Sequence, residues 1–147
     1  MERFERFTVL ITNITRNIRK IKTEEMSRWG LRSHHVSCIY YLYTKGALTS
    51  KKLCDVCNED KANVSRTIDY LEAEGFIAQK SISKKRYNAQ YQLTERGQAV
   101  GRIIKERIDE VISSASGSFS EEERSIMYHC LELINDKLST ISDEYKK

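Results

Sequence analysis

The segment from Leu48 to Thr94 constrains this chain most: two short helical patterns, a tight break between them, then a lysine-rich strand pattern. Leu48-Thr49 opens the first helix, with Thr49 as its N-cap and Leu53, Val56 and Cys57 on its inner face. Asn58 breaks that helix and is placed to cap the next, whose first turn carries Glu59 and Asp60 to match the macrodipole. The second helix has Ala62, Val64, Ile68 and Leu71 available for packing, and Gly75 stands where a left-handed C-cap would. Its outward side offers Lys61, Asn63, Ser65, Arg66 and Thr67. These are hydrogen-bonding groups at the N-terminal end, where a recognition helix meets base edges and phosphates. The pattern reads as a winged helix-turn-helix, with Thr49 and Ser50 as further candidate DNA contacts from the first helix.

The hairpin that follows fits this reading. Tyr87, Ala89, Tyr91 and Leu93 alternate with Asn88, Gln90 and Gln92, the period-2 signature of a half-buried strand. Its partner is expected over Ile77 to Ser83, with Ser83-Lys84-Lys85-Arg86 near the tip. From 80 to 86 there are four basic residues (Lys80, Lys84, Lys85, Arg86) and no acidic one. Such a tip can follow a phosphate backbone or enter a minor groove. Taken alone it reads better as a solvated hairpin whose lysines protect an edge strand. Beside this helix pair, DNA contact is the better reading.

Charge distribution points the same way. The net charge is a modest +4, yet Lys80 to Arg107 holds eight Lys or Arg against Glu95 and Glu106. That local excess of six positive charges implies a polyanionic partner ahead of a membrane surface. A chain of 147 residues with 39% hydrophobic content, 31% charge and no proline suits one helix-rich domain. No apolar run approaches a membrane span, and the charged amphipathic N-terminus is unlike a signal peptide. Four cysteines without disulfide-framework spacing suggest a reducing compartment, so a cytoplasmic location is expected.

Both chain ends carry apolar seams. Phe4, Phe7, Ile11, Ile14, Ile18 and Ile21 recur at spacings of three and four. Val100, Ile103, Ile104, Ile108, Val111 and Ile112 follow Thr94 on a long helix broken near Ser116-Gly117. Ser120 and Glu123 then form a capping box for a last helix with Ile126, Cys130, Leu133, Ile134, Leu138 and Ile141 as its stripe. These stripes either close a monomeric core or interdigitate between two subunits. The second is favoured, because an isologous dimer presents two recognition helices one DNA turn apart to a palindromic site. The expected organisation is a dimerisation helix over 1–30, the winged lobe over 31–94 and dimerisation helices over 95–147, interwoven as one domain.

The run Asp60-Lys61-Ala62-Asn63-Val64-Ser65-Arg66-Thr67-Ile68-Asp69-Tyr70-Leu71-Glu72-Ala73-Glu74-Gly75-Phe76-Ile77, followed by Leu93-Thr94-Glu95-Arg96-Gly97, resembles the MarR family of bacterial transcriptional regulators. Length and helix order agree across essentially the whole chain. One position departs from the pattern. The family's wing usually carries Asp-x-Arg before Leu-Thr, where this chain has Lys85 and Tyr87 with Arg86 between them. The aspartate that would orient a wing arginine is absent. The resemblance implies a homodimer, steric repression as the commoner outcome, and a cleft between the dimerisation helices and the DNA-binding lobe that accepts small aromatic effectors. Trp29, Tyr40, Tyr41 and Tyr43 are the candidate effector rings, with core packing as the alternative.

Other motifs are weaker. His34 and Cys38 share a helix face after Ser33, with His35 adjacent, but no third metal ligand follows at a proper spacing. His34 and His35 fit surface or DNA-backbone contacts near a helix start, with Cys38 in the core. Cys54-x-x-Cys57 lies inside a helix-turn-helix, where cysteine usually acts as a small hydrophobe. No metal or other cofactor is expected. There is no Gly-rich phosphate loop, nucleophile elbow or zinc-protease helix, so an enzyme is not expected. The alternatives to a DNA-binding regulator are a winged-helix protein-interaction module and a metal- or thiol-responsive regulator.

Overall fold

The computed structural model describes residues 2–80 and 88–145. They form α1 (Glu2–Met26), a 3-10 turn (Ser27–Trp29), α2 (Ser33–Lys45), β1 (Leu48–Thr49), α3 (Ser50–Cys57), α4 (Lys61–Ala73), β2 (Ile77–Gln79), β3 (Gln90–Leu93), α5 (Glu95–Ser116) and α6 (Glu121–Glu144). The class is therefore mainly α with a small antiparallel β wing, as the sequence implies. The chain divides into two compact units, 1–106 and 107–147, and each is described by itself.

In the first unit the buried core runs from Leu31, Val36, Ile39 and Leu42 through Leu53, Ile68 and Leu71 to Phe76, Tyr91 and Ile104. Gly30, at φ +72°, closes the turn after α1 and lets Leu31 plunge into this core. The break between α3 and α4 differs from expectation. Asn58 takes the left-handed conformation that ends α3, at φ 53°, and does not cap the next helix. Asp60 does so instead, its Oδ1 accepting from the Asn63 N–H at 2.7 Å. The α3 cap is the expected one, with Thr49 Oγ1 accepting from the Lys52 N–H at 3.2 Å.

Leu48-Thr49 does more than open a helix: it forms a strand. Leu48 pairs with Tyr91 and Thr49 with Gln90, so the wing strands belong to a three-stranded sheet ordered β1-β3-β2. Ile77 pairs with Leu93 and Gln79 with Tyr91. Ala89, Tyr91 and Leu93 are buried while Gln90 and Gln92 are exposed, which is the alternation read from the sequence. Tyr87 and the tip residues Ser83, Lys84, Lys85 and Arg86 lie outside the described residues.

The sheet is pinned to the following helix. Gly75, at φ +76°, ends the α4 turn. Its carbonyl accepts from Thr94 Oγ1 at 2.6 Å, and the Thr94 N–H donates to the Phe76 carbonyl at 3.0 Å. Gly97 then passes so close that a Cβ there would stand 2.0 Å from the Phe76 carbonyl oxygen. Arg96 donates to the Glu74 carbonyl and lies 4.2 Å over the Phe76 ring. The Leu-Thr-Glu-Arg-Gly run is thus a structural clasp.

In the second unit α6 opens with the expected capping box, Glu123 N–H to Ser120 Oγ at 3.1 Å and Ser120 N–H to Glu123 Oε2 at 2.8 Å. No residue of α6 is buried. Among the described residues, no helix is long and apolar enough to cross a membrane.

Candidate nucleic-acid interface

Two features aim α4 outward. Val64, Thr67, Ile68 and Leu71 seat its inner face in the core, and the Asp60 cap fixes its first turn. Two side chains lie opposite to their expected faces. Thr67 is buried, because it shares the Val64–Leu71 stripe at helical spacing, and Ala62 is exposed, because it falls off that stripe. Lys61 and Arg66 remain exposed, and Asn63 and Ser65 are half-buried. The four form one polar surface over the first turns of the helix.

Asn63 is held before any ligand arrives. Its Nδ2 donates to Glu59 Oε2 at 2.6 Å, four residues back in the turn that precedes the Asp60 cap. That bond fixes the rotamer of an amide whose remaining polar edge can meet a base. It also brings a carboxylate beside the Lys61 and Arg66 side of the helix. Lys51, Lys52 and Lys61 are exposed on the same two helices, alongside Arg66. Thr49 spends its hydroxyl on the α3 cap, while Ser50 is half-buried at the start of that helix. Lys80 is exposed, and its N–H donates to the Gln90 carbonyl at 2.7 Å, extending the hairpin ladder toward the tip. Lys84, Lys85 and Arg86 fall outside the described residues.

The start of α2, whose His34 and His35 fit surface or DNA-backbone contacts by sequence, buries His35 and brings His34 within electrostatic reach of Glu59 and Arg66. His34 is half-buried, and burial lowers its pKa; Glu59 opposes that shift, and Arg32 and Arg66 reinforce it. His35 is buried, with its pKa lowered to about 4 by burial and then by His34 and Arg32. Its Nδ1 accepts from the Arg32 N–H at 3.0 Å, so the ring caps its own helix in the neutral form. Glu59 and Arg66 are tertiary neighbours of His34, which no local spacing signals.

The four aromatic candidates pack as follows. Trp29 is half-buried beneath the Arg28 guanidinium, 3.8 Å away. Tyr40 and Tyr41 meet edge to face at 5.3 Å, and Tyr43 packs where Gly101 leaves room for its ring. A shallow, open depression of about 350 Å³ lies along α1, lined by Ile11, Thr12, Thr15, Arg16 and Arg19.

The Cys38, Cys54 and Cys57 thiols are poor nucleophiles. Burial pushes the Cys57 thiol up to about 11, and also raises Cys54 and, far more, the buried Cys38. Thiolate is therefore scarce at neutral pH. Among the described residues no three His, Cys, Asp or Glu side chains gather into a metal-sized cluster.

A helix-turn-helix joined to a three-stranded wing defines the class: a winged helix-turn-helix protein. The MarR family model matches residues 31–84, the lobe that carries this surface. It is 33% identical over 76 residues, 52% of its length, to YwoH of Bacillus subtilis (strain 168), an uncharacterized HTH-type transcriptional regulator. The chain spans 56% of that relative's length. Solved structures share the fold at lower identity. A MarR family regulator from Neisseria meningitidis superposes with a TM-score of 0.82 at 19% identity, over 98% of this chain and 99% of that one. The protein of the S. aureus MepR–DNA complex gives 0.80 at 18%, over 90% and 97%. A MarR family protein of Listeria monocytogenes complexed with 26mer DNA gives 0.80 at 22%, over 88% and 87%.

Proposed function

We propose that this chain is a DNA-binding transcriptional regulator, not an enzyme, that reads a palindromic operator as a homodimer. The observation that carries the reading is the outward face of α4, where Lys61, Asn63, Ser65 and Arg66 project from a capped helix braced by α3. Asn63, preset by Glu59, is the base-reading amide, suited to adenine. Arg66 takes a guanine edge or a phosphate. Thr49, Ser50 and Lys80 contribute backbone contacts, and Lys84, Lys85 and Arg86 complete them from the wing. The DNA complexes of the S. aureus and Listeria proteins, which share this fold, support the assignment.

Homodimerisation accounts for the apolar surface. Phe4, Phe7, Ile11, Ile14, Ile18 and Ile21 are all exposed on α1, as are Ile126, Leu133, Ile134, Leu138 and Ile141 on α6. A 24-residue helix with an apolar stripe and no buried residue needs a partner surface. In this reading residues 1–30 and 95–147 build the dimer and 31–94 bind DNA. Occupying a promoter would repress transcription sterically in the cytoplasm. A small aromatic effector bound near Trp29, Tyr40, Tyr41 and Tyr43 would release the site.

The test is a titration of fluorescent duplex DNA at several salt concentrations with wild type and Arg66→Ala. Wild type binds with a steep log-affinity versus log-salt slope, and Arg66→Ala loses about 1–3 kcal/mol on the preferred duplex. Equal binding by both proteins would remove α4 from the reading role.

A further inference from the structure

The reading face of α4 does not stop at Arg66. Asn63, Arg66 and Tyr70 are spaced by three and four residues, so they share one side of the helix. At the far end of that side, Tyr70 Oη donates to the Gly30 carbonyl at 2.8 Å, across 40 residues of sequence. Its ring stacks on His35 with centroids 4.3 Å apart and planes 11° from parallel. His35 in turn meets His34 at 4.1 Å. Gly30 is needed at the docking point for two reasons. Its φ of +72° suits glycine, and a Cβ there would stand 2.9 Å from the Tyr70 hydroxyl oxygen.

We propose that Tyr70 is a positioning residue for DNA recognition: its docking on Gly30 and His35 sets the angle at which α4 presents Asn63 and Arg66. This rests on the assignment of α4 as the reading helix. The physical argument is leverage. The N-terminal half of α4 projects Lys61 and Arg66 into solvent, while its C-terminal half is anchored by Tyr70 to the corner that ends α1. Releasing the anchor frees the helix to tilt, and base-edge hydrogen bonds tolerate tilt poorly. Phosphate contacts from long lysines tolerate it well. Loss of the anchor therefore costs sequence discrimination ahead of overall DNA affinity.

The experiment uses the full chain and Tyr70→Phe, which removes the hydroxyl and keeps the stacked ring. Operator duplex selected from a random pool and a scrambled duplex are titrated in parallel. Operator affinity is expected to fall about threefold to tenfold, the worth of one hydrogen bond, with scrambled-duplex affinity unchanged. Trp29, the single tryptophan of the chain, sits beside Gly30 and supplies a second readout. Its emission should respond to operator in wild type and respond less in Tyr70→Phe. Arg66→Ala separates the two ideas. If Arg66→Ala loses operator binding and Tyr70→Phe keeps the wild-type ratio of operator to scrambled affinity, the positioning role is overturned and the reading helix stands. If neither variant affects binding, both fall. An equal loss on both duplexes would also overturn it, because a merely structural defect lowers them together.

Discussion

Lowering the pH from 7 to 5 should destabilise the folded chain through His35. In the fold this imidazole is buried, stacked on Tyr70 and accepting the Arg32 N–H through Nδ1, so it must stay neutral. Its pKa is lowered to about 4, first by burial and then by the neighbouring His34 and Arg32. In the unfolded chain the ring takes a proton near 6.5. Between those values the unfolded state binds more protons, so stability is fully present above about pH 6.5 and drains away as pH falls toward 4. At pH 5 the loss amounts to about 2 kcal/mol from this one group. His34, lowered in the same direction, adds to it. Urea unfolding of wild type and His35→Asn at both pH values isolates the contribution. Asparagine keeps an acceptor for the Arg32 N–H but does not titrate, so the variant starts less stable and loses about 2 kcal/mol less on acidification. An equal loss in both proteins would refute the reasoning and place the acid sensitivity in the carboxylates.

Three further outcomes are expected from the proposed function, the close approach at Gly97 and the apolar α1 surface. Neutralising Lys84, Lys85 and Arg86 together should weaken binding to every duplex and flatten the log-affinity versus log-salt slope by up to about three units; an unchanged slope would mean that the wing reads bases or holds the fold. Gly97→Ala, whose Cβ would meet the Phe76 carbonyl oxygen at 2.0 Å, should cost about 3 kcal/mol of stability in urea unfolding, and an unmoved midpoint would contradict that close approach. Replacing Ile14 and Ile18 with Asp should give monomers in sedimentation and a steep loss of operator affinity with no DNA contact touched; a variant that stays dimeric would move the interface to α6.

Local chemistry made much of this molecule legible. Thr49, Ser120 with Glu123, and Gly75 end or begin helices for reasons that lie within four residues of themselves. The alternation through Ala89, Tyr91 and Leu93 exposes its pattern directly. Two-residue β1 could not be read, because its pairing with Tyr91 and Gln90 is made across some 40 residues and two residues show no period. Thr67 misleads by its hydroxyl: angular position on α4, not polarity, decides which side faces the core. Asn58 misleads because it suits both a cap and a left-handed turn, and Asp60, two residues later, takes the cap. At the interface the Glu59–Asn63 bond follows a four-residue spacing visible in the sequence. Gly30–Tyr70 and His35–Tyr70 are contacts of the folded chain alone.

The central claim is that this surface reads DNA sequence. Selection of bound duplexes from a random pool, carried out with the full chain at physiological salt, tests it most directly. The account predicts enrichment of a palindrome with half-sites about 10 base pairs apart, centre to centre, matching a two-fold dimer with one α4 per half-site. Retention without enrichment, or enrichment of single half-sites only, would contradict it.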